Sequence, residues 1–309
     1  MISTITLNPS VDKRYILDDF EKGKVSRALE VHNTAGGKGI NVARVVKQLG
    51  EKVDATGFLG GANGDFISKE LEELNIKSDF IKISEDTRCC IAILSNSCGQ
   101  TEILEPGPQV TEDELDSLYN KYSKMLQDSS IVCASGSIPK EVPASIYKEL
   151  ITKAKNYDVK FILDTSGEAL VKGIEARPHI IKPNKDELEY IFNKNLESEA
   201  EIIRCAKKLG QTGIEIVFVS LGERGSIVVK DDRAYKVEIP NIEAVNPVGS
   251  GDSTVAGLAV ALQRGYDFRD MLAFAASCGT ANAMEKETGM IRIENVEKIR
   301  KKVKIIELG

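Results

Sequence analysis

The chain has 309 residues, with 41 lysines and arginines against 47 aspartates and glutamates, for a formal charge of −6. That length is ample for one α/β core, and the mild negative balance offers no global field for nucleic acid or an anionic membrane, so any phosphate must be held by a few local cations. No apolar run is long enough to span a bilayer, and Met1–Leu7 lacks the basic start and long apolar core of a signal peptide.

Six runs rich in β-branched residues are the expected strands of a central sheet: Ser3–Leu7, Val53–Phe58, Ile131–Ala134, Lys160–Asp164, His179–Lys182 and Ile216–Ser220. Between them lie stretches of helical periodicity, including Lys38–Leu49, Asp65–Leu74, Glu112–Gln127, Ala144–Asn156, Lys185–Phe192 and Glu199–Leu209. This alternation predicts an α/β fold with a mainly parallel sheet covered by helices on both faces. On the first helix Ile40, Ala43, Val45 and Val46 form a core face, and Arg44, Lys47 and Gln48 are expected to face solvent. Glu294–Val303 reads as a terminal helix.

Two segments break the alternation. Residues 11–35 and 87–105 read as hairpins of a second, small sheet, the latter with a Ser95–Gln100 turn-like connection. Such a sheet suits a lid, a dimer surface, or both.

The residues that follow each expected strand are polar, small or glycine-rich: Asn8-Pro9-Ser10, Gly60-Gly61, Ser135-Gly136-Ser137, Asp164-Thr165-Ser166-Gly167, Lys182-Pro183-Asn184 and Ser220-Leu221-Gly222. Ligands of open parallel sheets bind beyond the carboxyl ends of the strands, so a large polar ligand crossing this whole edge is the economical reading. Loops of this kind are polar in any case, which explains each of them singly better than all six together.

Two glycine clusters open helices. Ala35-Gly36-Gly37-Lys38-Gly39-Ile40-Asn41 places backbone donors, a lysine and an amide at one helix N-terminus, and Val248-Gly249-Ser250-Gly251-Asp252 places an aspartate among the donors of another. Locally, Asp252 or Ser253 is equally readable as a helix cap. Neither cluster is a Walker A loop, since Gly39 follows Lys38, and neither is a dinucleotide fingerprint, since Thr254 stands where a third glycine is required. One anion site with a lysine and one with a carboxylate suit phosphoryl transfer between two ligands. The six cysteines, Cys89, Cys90, Cys98, Cys133, Cys205 and Cys278, form no C-x-x-C pair and share the chain with only His32 and His179. A zinc site or disulfide framework is therefore not expected, and a reduced cytoplasm is.

These stretches resemble the PfkB carbohydrate kinases of the ribokinase-like fold. Gly36–Ala43, with Gly50 and Gly60 downstream, is similar to the family's N-terminal signature, Gly249-Ser250-Gly251-Asp252 with Ala256-Gly257 to its C-terminal one, and Asn184–Glu187 to its N-x-x-E element. The likeness spans essentially the whole chain and implies a ribokinase-like αβα kinase domain over 1–309, with a small β-sheet lid. It implies Asp252 as the base on the acceptor hydroxyl, and Gly249, Ser250 and Gly251 as an anion hole; alanine is commoner in the family where Ser250 stands, a change that spares the backbone donors. Glu187, through water, and Asp164 would place Mg²⁺ on ATP. Lys182, Asn184, Ser220, Gly222, Gly225 and Asn282 would contact the nucleotide, and Asp12, Gly37, Lys38, Asn41, Arg88 and Ser137 the acceptor.

Each has a plainer reading: Glu187 as a solvated acid on its helix, Lys38 as surface charge, Arg88 as an edge-strand gatekeeper. Thr6-Leu7-Asn8-Pro9 and Thr87-Arg88 resemble the branch acting on phosphorylated ketohexoses, with Lys38 and Arg88 as the cations for the sugar phosphate. Within it, Cys90 and Ala92 favour D-tagatose 6-phosphate as acceptor, with fructose 1-phosphate as the alternative. A homodimer through the lid sheets is expected. A different class, a sensor that binds sugar phosphate and nucleotide without turnover, is disfavoured by Asp252, the anion hole and Asn184–Glu187 occurring together.

Overall fold

Successive side chains of a strand point to opposite faces, and the central strands use this to feed two separate cores. Ile131, Cys133, Ile162, Ile216 and Phe218 enter one, while Val132, Ala134, Phe161, Leu163, Val217 and Val219 enter the other. Strands apolar on both faces require helices on both sides. The computed structural model describes residues 1–95 and 99–308, so Cys98 and the centre of the Ser95–Gln100 connection lie outside the described residues.

The chain begins with β1 (Ile2–Thr6), β2 (Ser10–Leu17), β3 (Glu30–Gly36), α1 (Lys38–Gln48), β4 (Val53–Leu59) and α2 (Gly61–Glu73). Two short strands, β5 (Lys77–Ser78) and β6 (Ile81–Lys82), precede β7 (Arg88–Ser95) and β8 (Gly99–Leu104). Alternation then follows through α3 (Glu112–Leu126), β9 (Ile131–Ser135), α4 (Ile146–Lys155), β10 (Lys160–Asp164), α5 (Gly167–Glu175), β11 (Ile180–Ile181), α6 (Lys185–Phe192), α7 (Glu199–Gln211) and β12 (Ile216–Ser220). The chain closes with β13 (Ser226–Lys230), β14 (Arg233–Glu238), α8 (Ser250–Gln263), α9 (Phe268–Ala283), α10 (Ile293–Arg300) and β15 (Lys304–Leu308).

The large sheet runs β15-β14-β13-β12-β11-β10-β9-β1-β4-β5, with β6 also on β4. All six expected strands are present, and their mutual pairings are parallel. Three antiparallel strands extend the sheet beyond β12, which the sequence reading did not anticipate. Asp231 and Asp232, with φ of 49° and 60°, form the two-residue turn between β13 and β14; consecutive positive φ values match the twist of a hairpin. The terminal helix expected to reach Val303 stops at Arg300, and the chain from Lys304 pairs with β14 instead.

Helices α1, α2, α8, α9 and α10 contribute to one core and α3 to α7 to the other. Helix α8 is buried nearly all round, and a Cβ at Gly257 would lie 2.7 Å from the Ala275 Cα of α9. Glycine there lets the two helices touch backbone to backbone. The small sheet has the order β3-β2-β7-β8: two antiparallel hairpins joined by a parallel β2–β7 pairing. Because β2 begins four residues after β1 ends and β3 leads into α1, the small sheet rises from the carboxyl edge of the large one. Among the described residues no helix is long and apolar enough to cross a membrane.

Candidate active site

The N-terminus of α8 is an open donor site. Gly249 precedes it with φ 84°, and a Cβ there would lie 2.6 Å from Thr288 Cγ2 and 3.0 Å from the Gly289 amide nitrogen. Only glycine fits that conformation and that space. Among the described residues no side chain caps the helix. The Ser250 amide closes a turn on the Pro247 carbonyl at 3.2 Å, and among the described residues no chain partner takes the amides of Gly251 and Asp252. A Cβ on Gly251 would lie 3.2 Å from Lys182 Nζ, so a buried ammonium stands against this turn. Free first-turn donors and an adjacent cation together favour a phosphate group.

Asp252 lies within this turn, 5 % exposed, and its Oδ2 accepts a hydrogen bond from Asn41 Nδ2 at 2.8 Å. Burial pushes its carboxyl up to about 6; Lys38, the Asn41 bond and Lys182 pull it down, while Asp164 adds to the rise. A carboxylate poised there is ionised at neutral pH yet basic enough to take a proton from a hydroxyl under attack.

Asp164, at the end of β10, is buried with its Oδ1 3.3 Å from Lys182 Nζ and 3.7 Å from Lys38 Nζ. Burial raises its carboxyl, but Lys182 and Lys38 outweigh that and hold it below the usual range. Asp164 in turn drives Lys38 upward against burial, with help from Asp252 and Glu187. Lys38 therefore faces the carboxylates of Asp164, Asp252 and Glu187. Among the described residues Asp164 Oδ2 has no hydrogen-bond partner, while Oδ1 meets the two ammonium groups.

Glu187 is held in a capping box: its Oε2 accepts from the Asn184 amide at 2.9 Å, and Asn184 Oδ1 accepts from the Glu187 amide at 2.8 Å. Burial and the nearby Asp164 charge raise the Glu187 carboxyl. Among the described residues no three His, Cys, Asp or Glu side chains gather as a metal cage. Two carboxylates, one with its Oδ2 unpartnered, fit magnesium, which keeps waters and shares phosphate oxygens rather than demanding an all-protein site.

Among the expected acceptor contacts, Asp12 accepts from Ser10 Oγ through Oδ1 at 2.6 Å, and its carboxylate lies so close to Gly36 that a Cβ there would come within 2.1 Å. Burial raises Asp12, partly offset by the Ser10 bond and Arg88. Arg88 donates to the carbonyls of Glu105 at 2.7 Å and Asn8 at 3.0 Å, while its buried Nε has no partner. Ser10 is registered opposite both Gly36 and Arg88, which brings Asp12, Gly36 and Arg88 together. Gly37 caps α1 with φ 113°, and exposed Ser137 accepts from Asn8 Nδ2 at 3.1 Å.

Of the expected nucleotide contacts, Ser220 bridges to Asn184, and Gly222, with φ 61°, borders open space. Gly225 answers a demand of the fold: a Cβ there would lie 1.9 Å from the Val237 carbonyl oxygen. Asn282 is fully buried, accepting from Ser253 Oγ and the Gly289 amide and donating to the Val248 carbonyl. Its amide is thus committed beneath the Gly249 loop. A cleft of about 680 Å³ beside β4 to β6 contains none of these residues.

The sequence reading placed Arg44 and Gln48 on a solvated face; both bind the chain instead. Arg44 is buried and donates to Asn41 Oδ1, the Thr288 and Ala35 carbonyls and Glu70 Oε1. Gln48 donates to the Gly289 carbonyl at 2.8 Å and accepts from the Ile291 amide at 2.9 Å. The available signal was Asn41, Arg44 and Gln48 recurring at three and four residues, a polar stripe inside an otherwise apolar helix.

An α/β fold with a donor-rich helix N-terminus, a buried carboxylate beside it and two lysines on a second buried carboxylate is an arrangement suited to a phosphotransferase. The profile of the pfkB family carbohydrate kinases matches residues 3–293. The tagatose-6-phosphate kinase of Staphylococcus epidermidis is 41 % identical over 311 residues, covering all of both chains. Among solved structures, phosphofructokinase-2 of Escherichia coli in complex with potassium is 28 % identical, with a TM-score of 0.92 over 97 % of this chain and 98 % of that one. The tetrameric inhibited form of the same enzyme is 27 % identical, with a TM-score of 0.91 and the same coverage. The chain belongs to the pfkB family of carbohydrate kinases, and its ribokinase-like fold serves ATP-dependent phosphorylation of a carbohydrate.

Proposed function

We propose that the chain transfers the γ-phosphoryl group of MgATP to the C1 hydroxyl of D-tagatose 6-phosphate, forming tagatose 1,6-bisphosphate. The observation that carries this reading is the buried Asp252 carboxylate, near 6, at the uncapped N-terminus of α8. The full-length likeness to tagatose-6-phosphate kinase supports the choice of sugar.

In this reading Asp252 takes the C1 hydroxyl proton as that oxygen attacks phosphorus in line. The new O–P bond forms as the bond to the bridging oxygen breaks, and ADP leaves with that electron pair. The Gly249-Ser250-Gly251 turn, with Lys182 and Lys38, faces the charge on the transferred group; such preorganised donors are among the largest contributions an enzyme makes. Asp164 and, through water, Glu187 would hold magnesium, which when bound would neutralise nucleotide phosphate charge. Asn184, Ser220, Gly222 and Gly225 line the nucleotide side, with Asn282 beneath.

Arg88, with its free Nε, takes the 6-phosphate, and Asp12, Gly37, Asn41 and Ser137 hold the sugar. The small sheet acts as a lid that excludes water, within one kinase domain spanning the chain. Its apolar side chains Val31, Ile103 and Leu104 are exposed, which suits pairing of two copies through this sheet.

Measuring kcat/KM side by side for D-tagatose 6-phosphate, fructose 1-phosphate and fructose 6-phosphate tests the assignment. Tagatose 6-phosphate should be preferred; a higher value for fructose 1-phosphate would reassign the acceptor to that sugar.

A further inference from the structure

Resting on the reading of Asp252 as base, we propose that Arg44, held by Glu70, is the positioning residue that fixes the Asn41 amide so that its N–H group faces Asp252. The geometry is a relay. Glu70 Oε1 accepts from Arg44 Nη2 at 3.0 Å, Arg44 Nη1 donates to Asn41 Oδ1 at 3.2 Å, and Asn41 Nδ2 donates to Asp252 Oδ2 at 2.8 Å. An amide can occupy the same space in two orientations, and here only one is compatible with both neighbours. Reversed, Asn41 would set its oxygen against the carboxylate and its N–H₂ against the guanidinium. Without the guanidinium on the far side, only the Asp252 carboxylate would oppose the reversed orientation.

Arg44 suits this role because its planar fork holds several acceptors at once. Besides Glu70 and Asn41 it donates to the Ala35 carbonyl at 2.8 Å and the Thr288 carbonyl at 3.2 Å. Glu70 Oε2 meanwhile accepts from the Ala35 amide at 2.7 Å. Ala35 is the penultimate residue of β3, where the small sheet joins α1, and Thr288 packs against Gly249. One guanidinium thus ties the root of the small sheet, the segment beneath the anion site and the amide on the base. Groups that orient a reacting side chain through a hydrogen-bonded partner act in this way.

The test is a double-mutant cycle with MgATP and D-tagatose 6-phosphate, comparing wild type, Arg44→Lys, Asn41→Ala and the double variant, with thermal melts alongside. Lysine keeps the charge opposite Glu70 but cannot serve all four acceptors. Arg44→Lys should lower kcat about tenfold with KM for ATP unchanged, and in the Asn41→Ala background by less than about twofold. An equal loss in both backgrounds, or no loss in either, would overturn the proposal, because a merely structural role acts with or without the amide. Should Arg44→Lys not fold, Glu70→Gln replaces it in the same cycle and must show the same non-additivity; additive losses there also overturn it. The reading of Asp252 is tested separately: an Asp252→Asn variant that still turns over refutes the base, whereas additivity beside an inactive Asp252→Asn refutes only Arg44.

Discussion

Replacing Asp252 by asparagine should yield a protein that folds more stably than the parent at neutral pH. The carboxyl is raised from 3.8 to about 6 inside the fold, principally by burial. A rise of roughly two units corresponds to about 3 kcal/mol at ~1.36 kcal/mol per unit. The sign follows from linkage: the folded value lies above the unfolded one, so ionised Asp252 opposes folding. That cost is fully present above about pH 6, where both states are charged, and disappears below about pH 4, where both carry the proton. Asparagine keeps an oxygen for Asn41 Nδ2 without the charge. Urea unfolding followed by circular dichroism should therefore show the variant more stable by up to about 3 kcal/mol at ~pH 8, with the difference fading towards ~pH 4. A variant less stable than the parent at ~pH 8 would refute the reasoning, since Asp252 would then be a net stabiliser through Asn41 and Lys38.

Arg88→Ala should chiefly raise KM for the sugar phosphate, because the guanidinium carries a buried, unpartnered Nε; an unchanged KM in steady-state assays would remove it from the acceptor site. Gly249→Ala forces a side chain into φ 84° and against Thr288. It should cost at least about 1–2 kcal/mol in denaturant melts and depress turnover, and parental stability and kcat would contradict the account of that turn.

Much of the fold was legible because parallel strands buried on both faces leave dense β-branched runs, and all six occur where expected. The glycine clusters were legible for a related reason: Gly37 at φ 113° and Gly249 at φ 84° adopt backbone angles that leave a mark in composition. The hairpin of β13 and β14 was missed because its turn is Asp231-Asp232 rather than a glycine pair, and β15 because a short strand after a helix has little periodicity of its own.

Arg44 was misread for a deeper reason. Helical patterning separates apolar from polar faces, and it assigns a charged residue to solvent unless its partners are known. Those partners, Glu70 and Thr288, are distant in sequence and meet Arg44 only in the folded chain. Asn282 illustrates the converse. Resemblance offers it as a nucleotide contact, but the direction of its amide, into the Gly249 loop, depends on Ser253, Val248 and Gly289 closing around it.

The central claim is that Asp252 moves the proton during phosphoryl transfer. The most direct measurement is single-turnover transfer from radiolabelled MgATP to D-tagatose 6-phosphate by Asp252→Asn, with ATP affinity measured in parallel. Transfer should slow by about 10²- to 10⁴-fold, the usual contribution of a general base, while nucleotide affinity stays within about twofold, the pattern of a group needed only in the transition state. Transfer at close to the parental rate would contradict the account.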